Sequence, residues 1–439
     1  MSRISMRLRH LAVMVLALAL VAAACGDDDS TTTTAGGGDA LGVIEVQPGE
    51  SIQIRAHQAI SGPAESLGTD QVRGVELAIA DFGDIHGFSV DMGVAEDDLC
   101  SAEGGQAGAQ AIVAQGNVVA VIGTTCSGAA RASLPVYSAA GMVLFSGSNT
   151  APDLTSDLQG TAGENYQAGY FRTAHNDLFQ GAAVARFVFD ELGLTRAAAV
   201  HDGDPYTQGL ANAFRSAFET LGGEVPVFTA TSGATGADQT ALLTEIAAAD
   251  VEVVFFPIFP QTGGPEIIQQ KDGIAGLEDV VWFGADGLFV ADFISIPETE
   301  GMYFSGPDLN FEGNVSATGK NYAEMRDAYI AANGEAPPAP FHAHTYDATV
   351  LVLTAIREVG VVGDDGVLRI GRQALRDYLE TVADFDGLIG KITCDEFGDC
   401  GSQRVQVAYH TDSGQTDISL TPVSAAYTRA DLIDIITGG

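Results

Sequence analysis

The sequence predicts an α/β protein of two doubly wound lobes, each with a parallel-sheet core. Three observations carry this. Short strand-like apolar runs alternate with helical runs of about ten residues. The alternation restarts after about residue 174. A chain of 439 residues, 46% of them hydrophobic, suffices for two sizeable cores.

The elements follow in order. IQIRAHQAI from residue 52 reads as a strand, and DQVRGVELAIADF has apolar residues at helical spacing. FSVDMGVAEDD reads as strand, AGAQAIVAQG as helix and NVVAVIG as a buried strand. SGAARASLPVYSAAG is a helix and MVLFSG the next strand. The second run holds the helix DLFQGAAVARFVFDEL, the strand RAAAVHD and the helix YTQGLANAFRSAFETLG. EVPVFTA, VEVVFFPIF and DVVWFGADG are strands with helices between them. Long helices follow at NYAEMRDAYIAANG and YDATVLVLTAIREVG, and a β-hairpin is expected from about residue 388. Strands spaced by crossover helices imply parallel sheets.

The N-terminus addresses the chain outward. Arg3, Arg7 and Arg9 precede LAVMVLALALVAAA, too short for a comfortable membrane span. Residues 1–24 read as a signal peptide. VAAAC resembles a lipobox, which makes Cys25 the expected lipidation site and membrane anchor, with Ala22 in place of the usual leucine. Residues 25–48, with GDDDSTTTTAGGGDA, read as a tether. The net charge of −38, from 58 acidic and 20 basic residues, opposes nucleic-acid and anionic-lipid surfaces and reads as a solubility device.

With Cys25 lipidated, four cysteines remain in an oxidising setting, which implies two disulfides. Cys394 and Cys400 bracket the turn DEFGD, and Cys100 then goes with Cys126. A zinc site is the rival, but no CxxC pair supports it. No GxxxxGKS, HExxH, GxSxG or post-strand GxGxxG occurs, and no cofactor is expected. His342 and His344 could share a metal on paper; ordinary hydrogen bonds at a helix entry are the plainer reading.

In open parallel sheets ligands bind beyond the carboxyl ends of strands. Ser127 follows NVVAVIG at a helix N-terminus; Ser148 and Thr150 follow MVLFSG. Tyr206 follows RAAAVHD, Phe259 follows VVFFPIF, and Asp286 follows DVVWFG. A helix N-terminus with a hydroxyl receives a carboxylate, and a lone acid across a cleft receives an ammonium. Together they describe a free α-amino acid. Singly, each has a plainer reading: Ser127 as an N-cap, Asp286 and Thr150 as turn residues, Tyr206, Phe259 and Leu67 as core.

SGPAESLGTDQVRGVELAI, EDDLC, VIGTTCSG, FSGSNTAPDLT, FRTA, VHDGDPYTQGL, WFGADG and HTYDATVLVLTAI occur in the order of a known family. Over roughly 50–410 the chain resembles the branched-chain amino-acid-binding proteins, the solute receptors of ABC importers. The resemblance implies the type I periplasmic-binding fold, with a three-crossing hinge at FRTA (171–174), YFSGP (303–307) and GLIG (387–390). Lobe 1 would then be 49–174 plus 306–387, and lobe 2 would be 175–305 plus 388–439. It implies Cys100 bonded to Cys126 and Ser127 on the ligand carboxylate. Ser148 and Thr150 fall on positions that hold carboxylate and ammonium, and Asp286 where the family has a glutamate for the ammonium. Tyr206 and Phe259 fall on second-lobe cleft residues, Leu67 and Phe341 on the side-chain pocket.

Departures mark the ligand end. Asp286 is one methylene shorter than glutamate. Leu67 replaces a frequent aromatic, and Phe259 and Pro260 replace tyrosines, which makes a wider, drier pocket. The Cys394–Cys400 loop has no placed counterpart. The expected protein is a non-enzymatic, monomeric, extracytoplasmic lipoprotein that hands an aliphatic amino acid to a permease and its ATPase. The alternatives are a sensor of the same fold, or an amide, urea or aromatic acid as ligand. A secreted hydrolase built on Ser127 and His201 is the third candidate, without a nucleophile elbow to support it.

Overall fold

A computed structural model describes residues 39–233 and 235–438. The leader 1–24, Cys25 and tether residues 26–38 lie outside them. Among the described residues no helix is long and apolar enough to cross a membrane.

The described residues start with β1 (Val43–Val46) and β2 (Ile52–Gln58), then α1 (Glu65–Phe82), β3 (Val90–Asp91) and β4 (Glu96–Asp97). α2 (Ala102–Gln115), β5 (Val118–Gly123), α3 (Ser127–Ala139), β6 (Val143–Ser146) and β7 (Tyr170–Arg172) complete the first run. The second run is α4 (Asp177–Arg186), β8 (Arg196–His201), α5 (Pro205–Leu221), β9 (Glu224–Ala230), α6 (Thr240–Ala248) and β10 (Val253–Phe255). It continues with α7 (Gly264–Gln270), β11 (Val281–Gly284), α8 (Ala291–Ile294) and β12 (Tyr303–Pro307). Then come α9 (Tyr322–Asn333), α10 (His342–Val359), β13 (Val361–Val362), β14 (Leu368–Gly371), α11 (Arg372–Glu380), β15 (Phe385–Gly387) and β16 (Gly390–Ile392). β17 (Val405–Tyr409), β18 (Val423–Tyr427) and α12 (Arg429–Thr437) close the chain.

Two sheets form. The first has the order β3-β2-β5-β6-β7, with β4 also on β2, and is parallel throughout. The second has the order β9-β8-β10-β11-β12-β17-β18, parallel up to β12 and antiparallel beyond it. Strand order reverses beside β2 and beside β8, so each sheet opens a crevice at its carboxyl ends. β5 and β6 are buried along their whole length, which is why they read as continuous apolar runs rather than alternating ones. The expected strand FSVDMGVAEDD is only the two short strands β3 and β4.

Two boundaries differ from expectation. Residues 43–46 are not tether: β1 pairs antiparallel with β14, with Ile44 and Val46 turned inward. The third crossing does not lie at 387–390. Leu388, Ile389, Ile392, Cys394 and Cys400 share the core of Ile54, Phe145 and Leu353, while Val405 and Val407 share that of Val200 and Phe283. The chain changes cores between Cys400 and Val405. GLIG is instead the turn of the β15–β16 hairpin, where Leu388 and Ile389 N–H groups donate to Asp347 on α10 (3.0 and 2.9 Å).

Both disulfides form, Cys100–Cys126 and Cys394–Cys400. The second closes a loop against the first crossing. There Arg172, fully buried, pairs with Asp399, donates to the carbonyls of Asn149 (3.2 Å) and Ala151 (2.8 Å) and to Thr155 Oγ1 (2.7 Å). Arg172 N–H donates to the Gly398 carbonyl, and Cys400 N–H to that of Arg172, both at 2.9 Å. A Cβ on Gly401 would stand 2.3 Å from the Thr173 carbonyl oxygen, so the first and third crossings run backbone against backbone.

Candidate functional site

The turn after β5 is tied down from beneath. Asp98, buried, accepts the N–H groups of Cys100 and Thr125, both at 2.7 Å. Burial pushes its pKa up to about 7, against those hydrogen bonds. Thr125 Oγ1 donates to Gln58 (2.7 Å) and accepts Ala59 N–H (2.9 Å). The turn after β6 is knitted onto it: Ser148 Oγ donates to the Thr125 carbonyl (2.9 Å), and the Asn149 amide to those of Thr124 and Thr125 (2.9 and 3.0 Å).

α3 begins at Ser127. Its first intrahelical bond runs from Ala130 N–H to the Cys126 carbonyl (3.0 Å), and Cys126 makes no side-chain cap. The N–H groups of Ser127, Gly128 and Ala129 therefore have no acceptor within the helix. Ser127 Oγ accepts Ala151 N–H (3.3 Å), which leaves its hydroxyl proton for an incoming oxygen.

Across the gap stands Asp286, after β11. Its Oδ1 accepts the Gln180 amide (2.6 Å) and the Tyr206 hydroxyl (3.0 Å). Burial raises its pKa to about 6, and the Gln180 and Tyr206 hydrogen bonds oppose the rise. Tyr206 packs on Phe259, ring centroids 5.5 Å apart. A cavity lies between the lobes, walled by Leu67, Thr125, Cys126, Ser127, Ser148, Tyr206, Phe259, Asp286 and Phe341, all buried. It holds about 20 Å³, room for about one water. A larger ligand enters only if the halves part.

Seven of the eight residues singled out from sequence line this cavity. Thr150 does not. It lies fully buried behind Ser148, its carbonyl accepting Asp177 N–H (2.9 Å). Its hydroxyl sits beside the Asp177 carboxylate but outside hydrogen-bond geometry. Asp177, also fully buried, has neither oxygen partnered; burial and the Asp286 carboxylate push its pKa well up. Sequence reasoning missed Asp177, Gln180 and Thr125. The signal for Gln180 was available: it is a polar residue amid the buried run FQGAAVA.

The hydrolase pairing of Ser127 with His201 does not form. His201 accepts Gly203 N–H (3.1 Å), packs on Phe228 (5.3 Å) and is absent from the cavity wall. His342 meets Asp70, the Ala339 carbonyl and Tyr322; His344 packs on Phe311 and Phe341.

Comparison with known proteins places this geometry. The family model for periplasmic binding proteins matches residues 51–414. The leucine-, isoleucine-, valine-, threonine- and alanine-binding protein of Pseudomonas aeruginosa is 28% identical over 378 residues, 84% of this chain and 92% of that one. A Streptococcus pneumoniae branched-chain amino-acid transporter substrate-binding protein, solved with isoleucine, superposes with TM-score 0.69 at 24% identity, covering 86% of this chain and 99% of that one. A Rhodopseudomonas palustris solute-binding protein solved with benzoate also gives 0.69, at 19% identity, covering 87% and 99%. The fold is that of the type I periplasmic binding proteins, and the chain belongs to the periplasmic binding protein family, among whose members its relatives include branched-chain amino-acid-binding proteins.

Proposed function

We propose that this protein captures a free aliphatic amino acid between its lobes and delivers it to an ABC importer. One observation carries the reading: a helix N-terminus bearing Ser127 and a buried acid, Asp286, wall the same cavity from opposite lobes. The first suits a carboxylate and the second an ammonium. Leu67, Phe259 and Phe341 supply an apolar wall for the side chain. A ligand that touches both lobes binds the closed form better and shifts the population toward it. No covalent step is involved. On this reading the lobes are 43–174 with 306–400 and 175–305 with 405–439. The leader and Cys25 support export and lipid anchoring outside the cytoplasmic membrane.

The benzoate-bound neighbour favours a second reading, an aromatic acid. Such a ligand offers nothing to Asp286, which would stay buried without a counter-charge. Isothermal calorimetry with L-leucine, L-isoleucine, L-valine and benzoate separates the two. The amino-acid reading expects heat from at least one aliphatic amino acid and none from benzoate. Binding of benzoate alone overturns it.

A further inference from the structure

The acid for the ammonium does not stand alone. Gln180, in the first turn of α4, donates through Nε2 to Asp286 Oδ1 (2.6 Å) and to Ser305 Oγ (3.0 Å). Its Oε1 is held on the other side by His175 Nε2, 2.6 Å away. An amide has one oxygen and one NH₂, so the oxygen must accept here. His175 is thus protonated on Nε2, and its Nδ1 has no partner. This ring follows directly on the first crossing and stacks on Phe341, centroids 6.5 Å apart and planes 21° apart. Phe341 is itself a cavity wall. A line of contacts therefore runs Asp286, Gln180, His175, Phe341. It joins the polar end of the cavity in one lobe to the apolar end in the other, through the hinge.

The amide matters because it has two orientations. With NH₂ toward Asp286 it stabilises the ionised acid. Flipped, it would set a carbonyl oxygen against a carboxylate. His175 N–H selects the first. The surroundings do not supply a substitute. Around Asp286 the other groups are Asp177, from α4, and Tyr206, from α5. Around His175 they are Arg172, Asp399 and His344. Burial keeps His175 uncharged, with its pKa down at about 4, so the selecting N–H persists through the neutral range.

We propose, resting on the amino-acid reading above, that Gln180 and His175 are positioning residues for the ligand's ammonium. Gln180 orients and ionises Asp286, and His175 fixes the orientation of Gln180. Neither touches the ligand.

The test is calorimetric titration of L-leucine into the full chain from pH 5 to pH 9, for wild type, Gln180→Leu and His175→Phe. Phenylalanine keeps the ring stack on Phe341 and removes the N–H. Wild-type affinity is expected to fall below about pH 6, as Asp286 takes a proton. Each variant is expected to bind at least tenfold more weakly at pH 7, with the pH of half-loss moved upward: Gln180→Leu removes the amide bond that holds the acid's pKa down, and His175→Phe frees the amide to turn its oxygen toward the acid. At pH 9 much of the affinity returns. Loss by the same factor at every pH, or affinity within twofold of wild type throughout, overturns the proposal. A wild type that binds no amino acid sinks the functional reading, and this inference with it; variant curves parallel to a binding wild type sink the inference alone. Circular dichroism of each variant checks that it is folded.

Discussion

Asp204 and Gly128 meet across the cleft. A Cβ placed on Gly128, in the first turn of α3, would stand 2.9 Å from Asp204 Oδ2, at the head of α5 in the other lobe. The carboxylate caps its own helix through Tyr206 N–H (2.8 Å) and at the same time faces the free N–H end of the opposite one. The two helix N-termini thus close on each other with one acid between them.

Gly128→Ala is therefore expected to obstruct closure while leaving each lobe folded. Leucine affinity should fall about tenfold or more, roughly 1.4 kcal/mol. Small-angle scattering at saturating leucine should give a larger radius of gyration than wild type. An unchanged affinity and radius would show that the carboxylate moves aside without cost.

Asp286→Asn should trade function for stability. Truncating one charge of a buried pair costs on the order of 2–5 kcal/mol, so leucine affinity should drop roughly 10²-fold. Stability should move the other way. The folded pKa of about 6 lies above the usual value of 3.8, so the native state holds this proton more tightly than the unfolded chain. The group's contribution thus falls as pH rises from about 4 to about 6, and above that its full cost remains. Asparagine removes that cost and can still accept from Gln180 and Tyr206. Urea denaturation at pH 8 without ligand should show a gain on the order of 1–3 kcal/mol, vanishing near pH 4. A variant less stable at pH 8 would contradict the assignment of strain to this acid.

Asp399→Asn tests the hinge. Arg172 would remain fully buried with its counter-charge gone, a change that typically costs about 3–5 kcal/mol. The urea midpoint should fall accordingly, with leucine binding retained wherever the protein is folded. A shift below about 1 kcal/mol would mean that the carbonyls of Asn149 and Ala151 suffice to hold the guanidinium.

The α/β alternation was legible because fully buried parallel strands such as VVAVIG leave unbroken apolar runs in the sequence. Most of the cavity wall, from Ser127 and Ser148 to Tyr206, Phe259 and Asp286, was legible because it follows strand ends, where chain order places residues; Leu67 and Phe341, on or beside helices, were read only through the resemblance. The third crossing was not. GLIG and the residues after it are apolar, and no local pattern says which of two cores an apolar residue joins. β1 was hidden by its length: VIEV shows only two alternations after a low-complexity run. Asp177 escaped because neither of its oxygens has a partner; Gln180 carried a signal, a polar residue in a buried run, but its bond to Asp286 spans 106 residues and leaves no local trace.

The backbone contact at Gly401 has a mechanical meaning. Two connecting strips that lie flush must bend together, about a line both share. On the proposed reading, in which the halves part and shut on a ligand, that shared line sets one swing, as of a book on its spine, and returns Ser127 and Asp286 to the same facing positions.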